Sequence, residues 1–294
     1  MPVHGLIVVG VFFCWELTFF LVVKSANTDS PLYNFLRSPH RKRWISSSAF
    51  LIKEAKLIVV GMEFFVGTSG WYYPWNEKRS LDWFVAESGL NAVELNASFY
   101  RFPFSNMMKS WARKGIGLRW AVKVNRFITH FFKFSDEAFN TWQKFRELFV
   151  PLDANVDFYL FQLPPRTTPE SVAPIENFVE KTGLQRRFAF EVRNIKWFDE
   201  TWVSWASKLG ITWVSVDSPD FPLNVFNTNG LVYERMHGRT EWYAHSYSDE
   251  ELEEVAEKIA KAKPEKTYVF FNNDSAMLEN SRKMLNILKT RFKQ

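Results

Sequence analysis

Six ionisable residues share one kind of position, the C-terminal end of a short run of β-branched and aromatic residues: Glu94, Lys123, Glu191, Asp217, Arg235 and His237. Alternate side chains of an extended run share a face. By that parity Ala92, Glu94 and Asn96 belong together, as do Ala121, Lys123 and Asn125, and Ala189, Glu191 and Arg193. The pattern continues with Leu160 and Gln162, Ser215 and Asp217, Tyr233, Arg235 and His237, and Phe270 and Asn272. Small residues precede charged ones, and polar groups collect at strand ends. Such groups are the equipment of acid and base catalysis. Glu191 or Glu94 would carry the proton, His237 is a second candidate base, and Arg235 with Lys123 would be electrophilic partners. Taken singly, Glu94, Lys123 and Asp217 are as readily members of structural ion pairs. Several at one end are harder to explain by stability alone, because a buried charge costs about several kcal/mol unless well paired.

The signs of these charges narrow the ligand. Glu94, Glu191 and Asp217 are balanced by Lys123, Arg193 and Arg235, whereas a two-metal site needs surplus carboxylate and histidine. The expectation is therefore no tightly held metal and no cofactor, with one weak cation at Glu94, Glu191, Asp217 and His237 as the remaining metal option. Guanidinium and ammonium groups beside amides suit an anionic or polyol ligand. Gly67 to Trp71 has neither the Walker nor the GxGxxG spacing, so a plain strand-to-helix turn is the better reading than a phosphate cradle. Trp71, Tyr72, Tyr73 and Trp75 either stack on a sugar or base or close the barrel mouth by packing.

Those residues require a frame that brings strand ends together. Eight runs alternate with helical patterns from Met62 onward: Phe64 to Thr68, Ala92 to Leu95, Arg119 to Val124, Phe158 to Gln162, Phe188 to Glu191, Thr212 to Val216, Leu231 to Met236 and Thr267 to Phe271. Alternation means parallel strands with crossover helices, and eight of them in this length predict a single parallel (β/α)8 TIM-type barrel, with its active site at the C-terminal mouth. The helices are marked by their ends. Ser248 with Glu251 is a capping box before Leu252, Val255 and Ile259; Ser135 precedes Ala138, Trp142, Phe145 and Phe149 on one face; Asp199 opens a helix that stops by Gly210. Ser218 to Gly230 has no helical period and reads as a long loop over the mouth.

The composition, 47% hydrophobic and 23% charged, is that of a folded domain, and 30 Phe with 13 Trp predict a core built largely from rings. The net charge of +5 is concentrated upstream, where residues 1 to 61 hold seven Lys or Arg and three acids. The remainder is nearly neutral, which disfavours a uniformly basic nucleic-acid binder. Cys14 is the sole cysteine, so the region from Met62 has no disulfide, thiol nucleophile or cysteine zinc site, and a cytoplasmic location is expected. Gly5 to Val23 is apolar apart from Glu16 and precedes the basic run His40, Arg41, Lys42, Arg43. A membrane anchor with the barrel in the cytoplasm is one reading. The favoured reading is that translation begins at Met62 and residues 1 to 61 are an extension outside the barrel and outside the true product.

A series of motifs carries a family resemblance. They are Gly67-Thr-Ser-Gly-Trp71-Tyr72, Val93-Glu-Leu-Asn96 with Ser98-Phe-Tyr-Arg101, Lys123 with Arg126 and Ile128-Thr-His130, Gln162-Leu-Pro-Pro165, Glu191-Val-Arg193, Val216-Asp-Ser-Pro219, Arg235-Met-His-Gly238 with Trp242-Tyr243, and Phe271-Asn-Asn-Asp274. From Met62 to the end the chain resembles the YecE-like family, domain of unknown function 72. The resemblance implies a TIM-type barrel and no particular activity. Candidate ligand-binding residues within or beside these motifs are Ser69, Trp71, Tyr72, Asn96, Tyr100, Arg101, Arg126, His130, Gln162, Arg193, Arg239, Trp242, Tyr243, Asn272, Asn273 and Asp274. The chain departs from the pattern at Ala97, where Ser or Thr is expected, and at Glu234, where an apolar residue is usual and a charge would sit on the outer side of the seventh strand.

The leading functional expectation is an enzyme of hydrolase, lyase or isomerase type acting on a small polar or anionic substrate. Glycoside hydrolysis is one version, needing two carboxyl groups about 5 to 9.5 Å apart. The rival is a nucleic-acid binding module using aromatic residues and the Lys123 to His130 segment, against which the near-neutral charge counts. A purely structural role leaves the clustered charges unexplained. Because all eight runs lie downstream of it, a chain beginning at Met62 is expected to be monodisperse and to unfold cooperatively; aggregation rescued by residues 1 to 61 would overturn this boundary.

Overall fold

Eight strands from Glu63 onward pair in parallel and close on themselves in sequence order: β1 (Glu63–Thr68), β2 (Ala92–Leu95), β3 (Arg119–Lys123), β4 (Val156–Gln162), β5 (Phe188–Glu191), β6 (Thr212–Asp217), β7 (Leu231–Met236) and β8 (Lys266–Phe271), with β8 pairing β1. This is the expected TIM-type barrel. The computed structural model describes residues 7–13, 17–23 and 62–292. The chain divides into two units, Met1–Val60 and Gly61–Gln294. In the first, Ile7–Phe13 and Leu17–Val23 pair as antiparallel strands. The apolar segment weighed as an anchor is thus not helical where it is described, and no described helix is long and apolar enough to cross a membrane. The basic run at 40–43 lies outside the described residues.

Among the described residues seven α-helices cover the barrel: α1 (Leu81–Glu87), α2 (Ser105–Lys114), α3 (Asp136–Phe149), α4 (Val172–Thr182), α5 (Glu200–Lys208), α6 (Asp249–Ala262) and α7 (Met277–Arg291). Their starts follow side-chain chemistry. Ser135 accepts from the Ala138 amide, Asp199 from that of Thr201, and Ser248 and Glu251 form the reciprocal capping box, so amides left over at each helix start are satisfied. The ring-rich core lies mainly between strands and helices, where Trp142 and Phe149 of α3 meet Tyr159 and Phe161 of β4 and Phe145 packs against both of these α3 rings. A smaller cluster fills the lumen. There Phe158, Tyr233, Tyr268 and Phe270 interdigitate above and beside Ala92, Ala121 and Ala189, and the alanines leave the width that rings and long charged side chains need.

The segment Ser218 to Gly230 lacks a helix, as expected, but its course differs from the expected cover over the mouth. Only its start lies there, with Asp220 accepting from Trp242 Nε1 at 2.6 Å. The rest runs down the outer side of β6, where Phe226 N donates to Ser215 Oγ at 2.9 Å and the Thr228 hydroxyl accepts from Trp213 N at 3.0 Å. It stands in for the missing crossover helix. One parity assignment is corrected with it: Val214 and Val216 face the lumen, while Ser215 and Asp217 face outward. Burial does not set β6 apart, since β2, β5 and β7 are buried as completely; what differs is that polar partners wait on its outer side, Phe226 N for Ser215 and Arg239 with Tyr247 for Asp217.

Where β1 meets β2, Gly67 pairs with Ala92. A Cβ on Gly67 would come 2.2 Å from the Ala92 carbonyl oxygen, a backbone contact that cannot swing aside. Gly67→Ala is expected to lower unfolding free energy by about 1 to 3 kcal/mol, the usual range for overpacking, measured by denaturant midpoint; an unchanged midpoint would refute the close approach.

Candidate active site at the barrel mouth

The inward parity of β2, β5 and β7 places Glu94, Glu191 and Arg235 at one level of the lumen, each wholly buried. Arg235 grips Glu94 with two parallel bonds, Nε to Oε2 at 2.9 Å and Nη2 to Oε1 at 2.6 Å, and reaches Glu191 Oε2 through Nη1 at 2.6 Å. Planar guanidinium and carboxylate geometry favours this fork. Glu94 also accepts from Ser69 Oγ at 2.8 Å and from the Tyr233 hydroxyl at 2.6 Å, so both its oxygens are saturated. Burial pushes the Tyr233 hydroxyl well above its ordinary value, with Glu94 adding to the effect. Glu191 also accepts from Arg193 Nε, which gives it one hydrogen bond on each oxygen. Burial pushes its carboxyl up, but Arg193, Arg235 and Lys123 together outweigh burial and hold it below the usual carboxylate range. Both carboxylates are therefore tied to the buried Arg235 guanidinium, Glu94 accepting two hydrogen bonds on each oxygen and Glu191 one on each.

Above this level Arg193 lies over the Trp242 ring at 4.7 Å and meets His237 Nε2 through Nη2 at 3.1 Å. A guanidinium can only donate, so Nε2 accepts and a neutral imidazole keeps its proton on Nδ1; the Asn272 Nδ2 that lies 3.2 Å from Nδ1 is also a donor, so this pair bonds only with the Asn272 amide turned to present its oxygen. Burial, followed by the charges of Arg193 and Arg235, pushes the His237 ring well below its ordinary pKa. His237 is thus neutral, with its lone pair already engaged. Tyr243 closes against it, its amide donating to the His237 carbonyl at 2.8 Å from a left-handed backbone at φ 69°.

Lys123 differs from its neighbours. Its ammonium lies 4.4 Å from the centre of the Phe99 ring, and it makes no hydrogen bond among the described residues. Burial, then the charge of Arg235, lowers its pKa to about 7 against the pull of Glu191. His130, with its edge against Phe99 and Nδ1 2.7 Å from the Thr129 hydroxyl, is lowered to about 4, first by burial and then by Lys123. Gln162 at the end of β4 is likewise unbonded, and Asn96 Oδ1 is buried without a partner. Among the described residues, the lumen groups left without a hydrogen-bond partner include the Lys123 amine, atoms of the Gln162 and Asn96 side-chain amides and Arg193 Nη1.

Asp217 was expected in this group and is not part of it. Facing outward, it accepts from Arg239 Nε at 3.1 Å and the Tyr247 hydroxyl at 2.8 Å, while Arg239 Nη1 reaches Glu254 at 2.6 Å. Arg239 accordingly ties the β7 end to α6. Glu234 is the outward charge foreseen on strand seven, but it is buried; burial, reinforced by Asp217, raises its carboxyl far above the ordinary range. With Asp217 removed, the lumen holds Lys123, Arg193 and Arg235 against Glu94 and Glu191. The four-residue cation site weighed from the sequence does not assemble, and no group of three or more His, Cys, Asp or Glu among the described residues is placed to hold a metal.

The family model described as "Protein of unknown function DUF72" matches residues 65–294. The chain belongs to this family. The DUF72 barrel is similar to crystal structures of two family members. One, from Thermotoga maritima, is 26% identical over 77% of this chain and 99% of its own, with a TM-score of 0.68. The other, from Enterococcus faecalis, is 20% identical over 77% and 95%, with a TM-score of 0.67. The fold is also shared with a D-psicose 3-epimerase from Clostridium cellulolyticum crystallised with D-tagatose, 11% identical over 79% and 100%, with a TM-score of 0.52. No curated protein matches the chain.

The other candidates distribute around the mouth of this DUF72 barrel in different ways. Tyr72 and Tyr100 are exposed, at 70% and 64%, and Arg101, Arg126 and Asp274 are exposed with them. Trp71 instead packs edge-on against Trp111 and Trp120, outside the lumen. Asn273 ties the loop before α6 to α7, donating to the His245 carbonyl and to Asn280 at 2.8 Å each. The Gly67 to Trp71 turn is a plain turn: the Ser69 amide donates to Phe271 O and that of Gly70 to Thr68 O, leaving neither free for a phosphate. Three participants were not singled out from the sequence: Tyr233, whose parity was noted but not its role, and Phe99 and Tyr247, which carried no charge to draw attention. A separate cleft of about 490 Å³ at the opposite end, lined by Glu63, Phe64, Phe65, Asn91 and Lys289, lies away from all these groups.

Arg235→Met would leave Glu94 and Glu191 buried without their shared cation. Breaking a buried pair by removing one partner costs about 3 to 5 kcal/mol. A loss of that size in chemical denaturation is expected, and a neutral or stabilising result would show that the carboxylates find other partners.

Proposed function

We propose that the mouth is the active site of an enzyme for a small anionic substrate, with Lys123 as the group that exchanges a proton with it and Arg193 as its anion contact. The observation that carries this reading is the lumen's charge: three cations face two carboxylates, and the cation without a hydrogen bond is Lys123. Both carboxylates are committed to guanidinium groups and His237 to Arg193, so the acid and base roles first assigned to Glu94, Glu191 and His237 pass to the amine. A pKa of about 7 suits it to both accepting and donating near neutrality. An anionic substrate group would supply the missing negative charge, with Gln162 and Asn96 left to orient hydroxyl or carbonyl oxygens. The TIM-type fold places such sites at the C-terminal mouth.

Two measurements test this. Immobilised protein mixed with a cell extract is expected to retain an anionic metabolite that the Lys123→Met variant retains at least 10-fold less; equal retention by both would remove Lys123 from the site. Stability gives a second readout. The folded-state pKa of Lys123 lies below the 10.5 of an unhindered lysine. Between about 7 and 10.5 the unfolded chain therefore holds a proton that the folded chain lacks, and this residue makes stability rise with pH across that window. Lys123→Met is expected to be more stable than the parent at pH 6, with the difference shrinking toward pH 10. A difference independent of pH would show that the amine is not depressed.

A further inference from the structure

Resting on that reading, we propose that Lys123 forms a covalent imine with a small aldehyde or ketone that also carries an anionic group, the anion lying against Arg193.

Lys123 has the surroundings of a nucleophile more than those of an ion-pair member. Its backbone is fixed, with its carbonyl accepting from Ser98 Oγ at 2.6 Å and the next amide donating to Leu160 O at 2.9 Å. Its amine lies on an apolar ring face, with no acceptor to hold its protons and no carboxylate of its own. The charged and titratable groups that act on it are Arg235, Arg193, Glu191 and Glu94, with His237 and His130 neutral nearby. Lys114, Lys181, Lys258, Lys261, Lys266 and Lys283 are all ion-paired to carboxylates instead. Lys123 is half-buried, and a partly desolvated amine beside other cations is the arrangement that makes a lysine nucleophilic toward carbonyl carbon.

The step balances without an oxidant or reductant. The Nζ lone pair adds to the carbonyl carbon, the C=O pair moves to oxygen, and a proton passes from nitrogen to that oxygen. Loss of the resulting hydroxyl with one further proton forms the C=N bond and releases one water. The anionic group is needed because an imine that takes up a proton restores the surplus positive charge of the lumen. Arg193 keeps Nη1 unengaged for it, since its Nε serves Glu191 and its Nη2 serves His237.

Borohydride trapping tests this on the full chain. Protein is incubated with pyridoxal 5′-phosphate, with glyoxylate or with uncharged butanal, reduced, and mapped by peptide mass. The two anionic aldehydes are expected to give one adduct per chain, at Lys123, at least 10-fold faster than at any other lysine. The rate should be half-maximal near pH 7, inorganic phosphate should slow it, and Lys123→Arg and Lys123→Met should abolish it. Labelling spread evenly over exposed lysines would overturn the proposal. Butanal reacting as fast as the anionic probes, unaffected by phosphate, would overturn its anionic part. If Lys123→Met abolishes metabolite retention while no adduct forms on the parent, the amine acts on protons only and the imine fails while the active-site reading stands. An adduct at Lys123 with metabolite retention unchanged in the variant upholds the imine and defeats that reading.

Discussion

A guanidinium with no exposure, clamped between two carboxylates with no exposure, is the constraint around which this barrel is arranged. Desolvating three charges is costly, and their attraction offsets that cost only when the geometry is good and the remaining lone pairs are satisfied. Glu94 comes from β2, Glu191 from β5 and Arg235 from β7, so the cluster exists only if the sheet has closed in one register. A slip of one residue in any of these strands would turn its charge into the helix layer. Tyr233 and Ser69 complete the lone pairs of Glu94, and Ala92, Ala121 and Ala189 keep the lumen wide enough for the fork. The same residues that look catalytic in the sequence therefore also specify the fold's register.

Parity along the chain made most of this legible. Eight alternating runs implied the barrel, and small-then-charged spacing on β2, β3 and β5 implied which ends carry polar groups. Capping residues such as Ser135, Asp199 and Ser248 marked helix starts, since their side-chain oxygens act locally and need no tertiary information. Parity failed on β6, where the outer face is covered by an irregular segment in place of a helix and polar partners for Ser215 and Asp217 lie outside the lumen. Asp217 then has the residue type of a site member and the position of a tie to Arg239 and Tyr247. Which carboxylates are saturated was equally hidden. The sequence shows that Glu94 and Arg235 share the lumen; only three-dimensional pairing shows that nothing is left over between them.

Moving one aspartate changes the electrical character of the mouth. With Asp217 counted inside, charges balance and the lumen is a closed set of ion pairs. With Asp217 outside, one positive charge is in surplus, and burial assigns the deficit to the weakest cation. Arg235 stays charged: burial works against it, but Glu191 and Glu94 outweigh burial and raise it. Arg193 is anchored by Glu191. Lys123, an amine that can release its proton where a guanidinium cannot, is the lumen cation whose pKa falls, through burial first and Arg235 second.

The ion-paired cluster and the unbonded amine are thus two sides of one arrangement. Had Glu191 paired with Lys123, the lysine would be an ordinary ion-pair member with a raised pKa. Arg235 and Arg193 each give the Glu191 carboxylate one bond, and Glu191 acts on Lys123 only through its charge, without a hydrogen bond. The amine is left between that attraction and the nearer penalty of burial beside two guanidinium groups. A fold optimised for stability alone has a simple remedy, an aliphatic side chain at position 123, which would remove a half-buried charge and fill the same space over Phe99. The surplus amine makes physical sense as the part of the lumen that answers to a ligand, while the pinned triad beneath it answers to the fold.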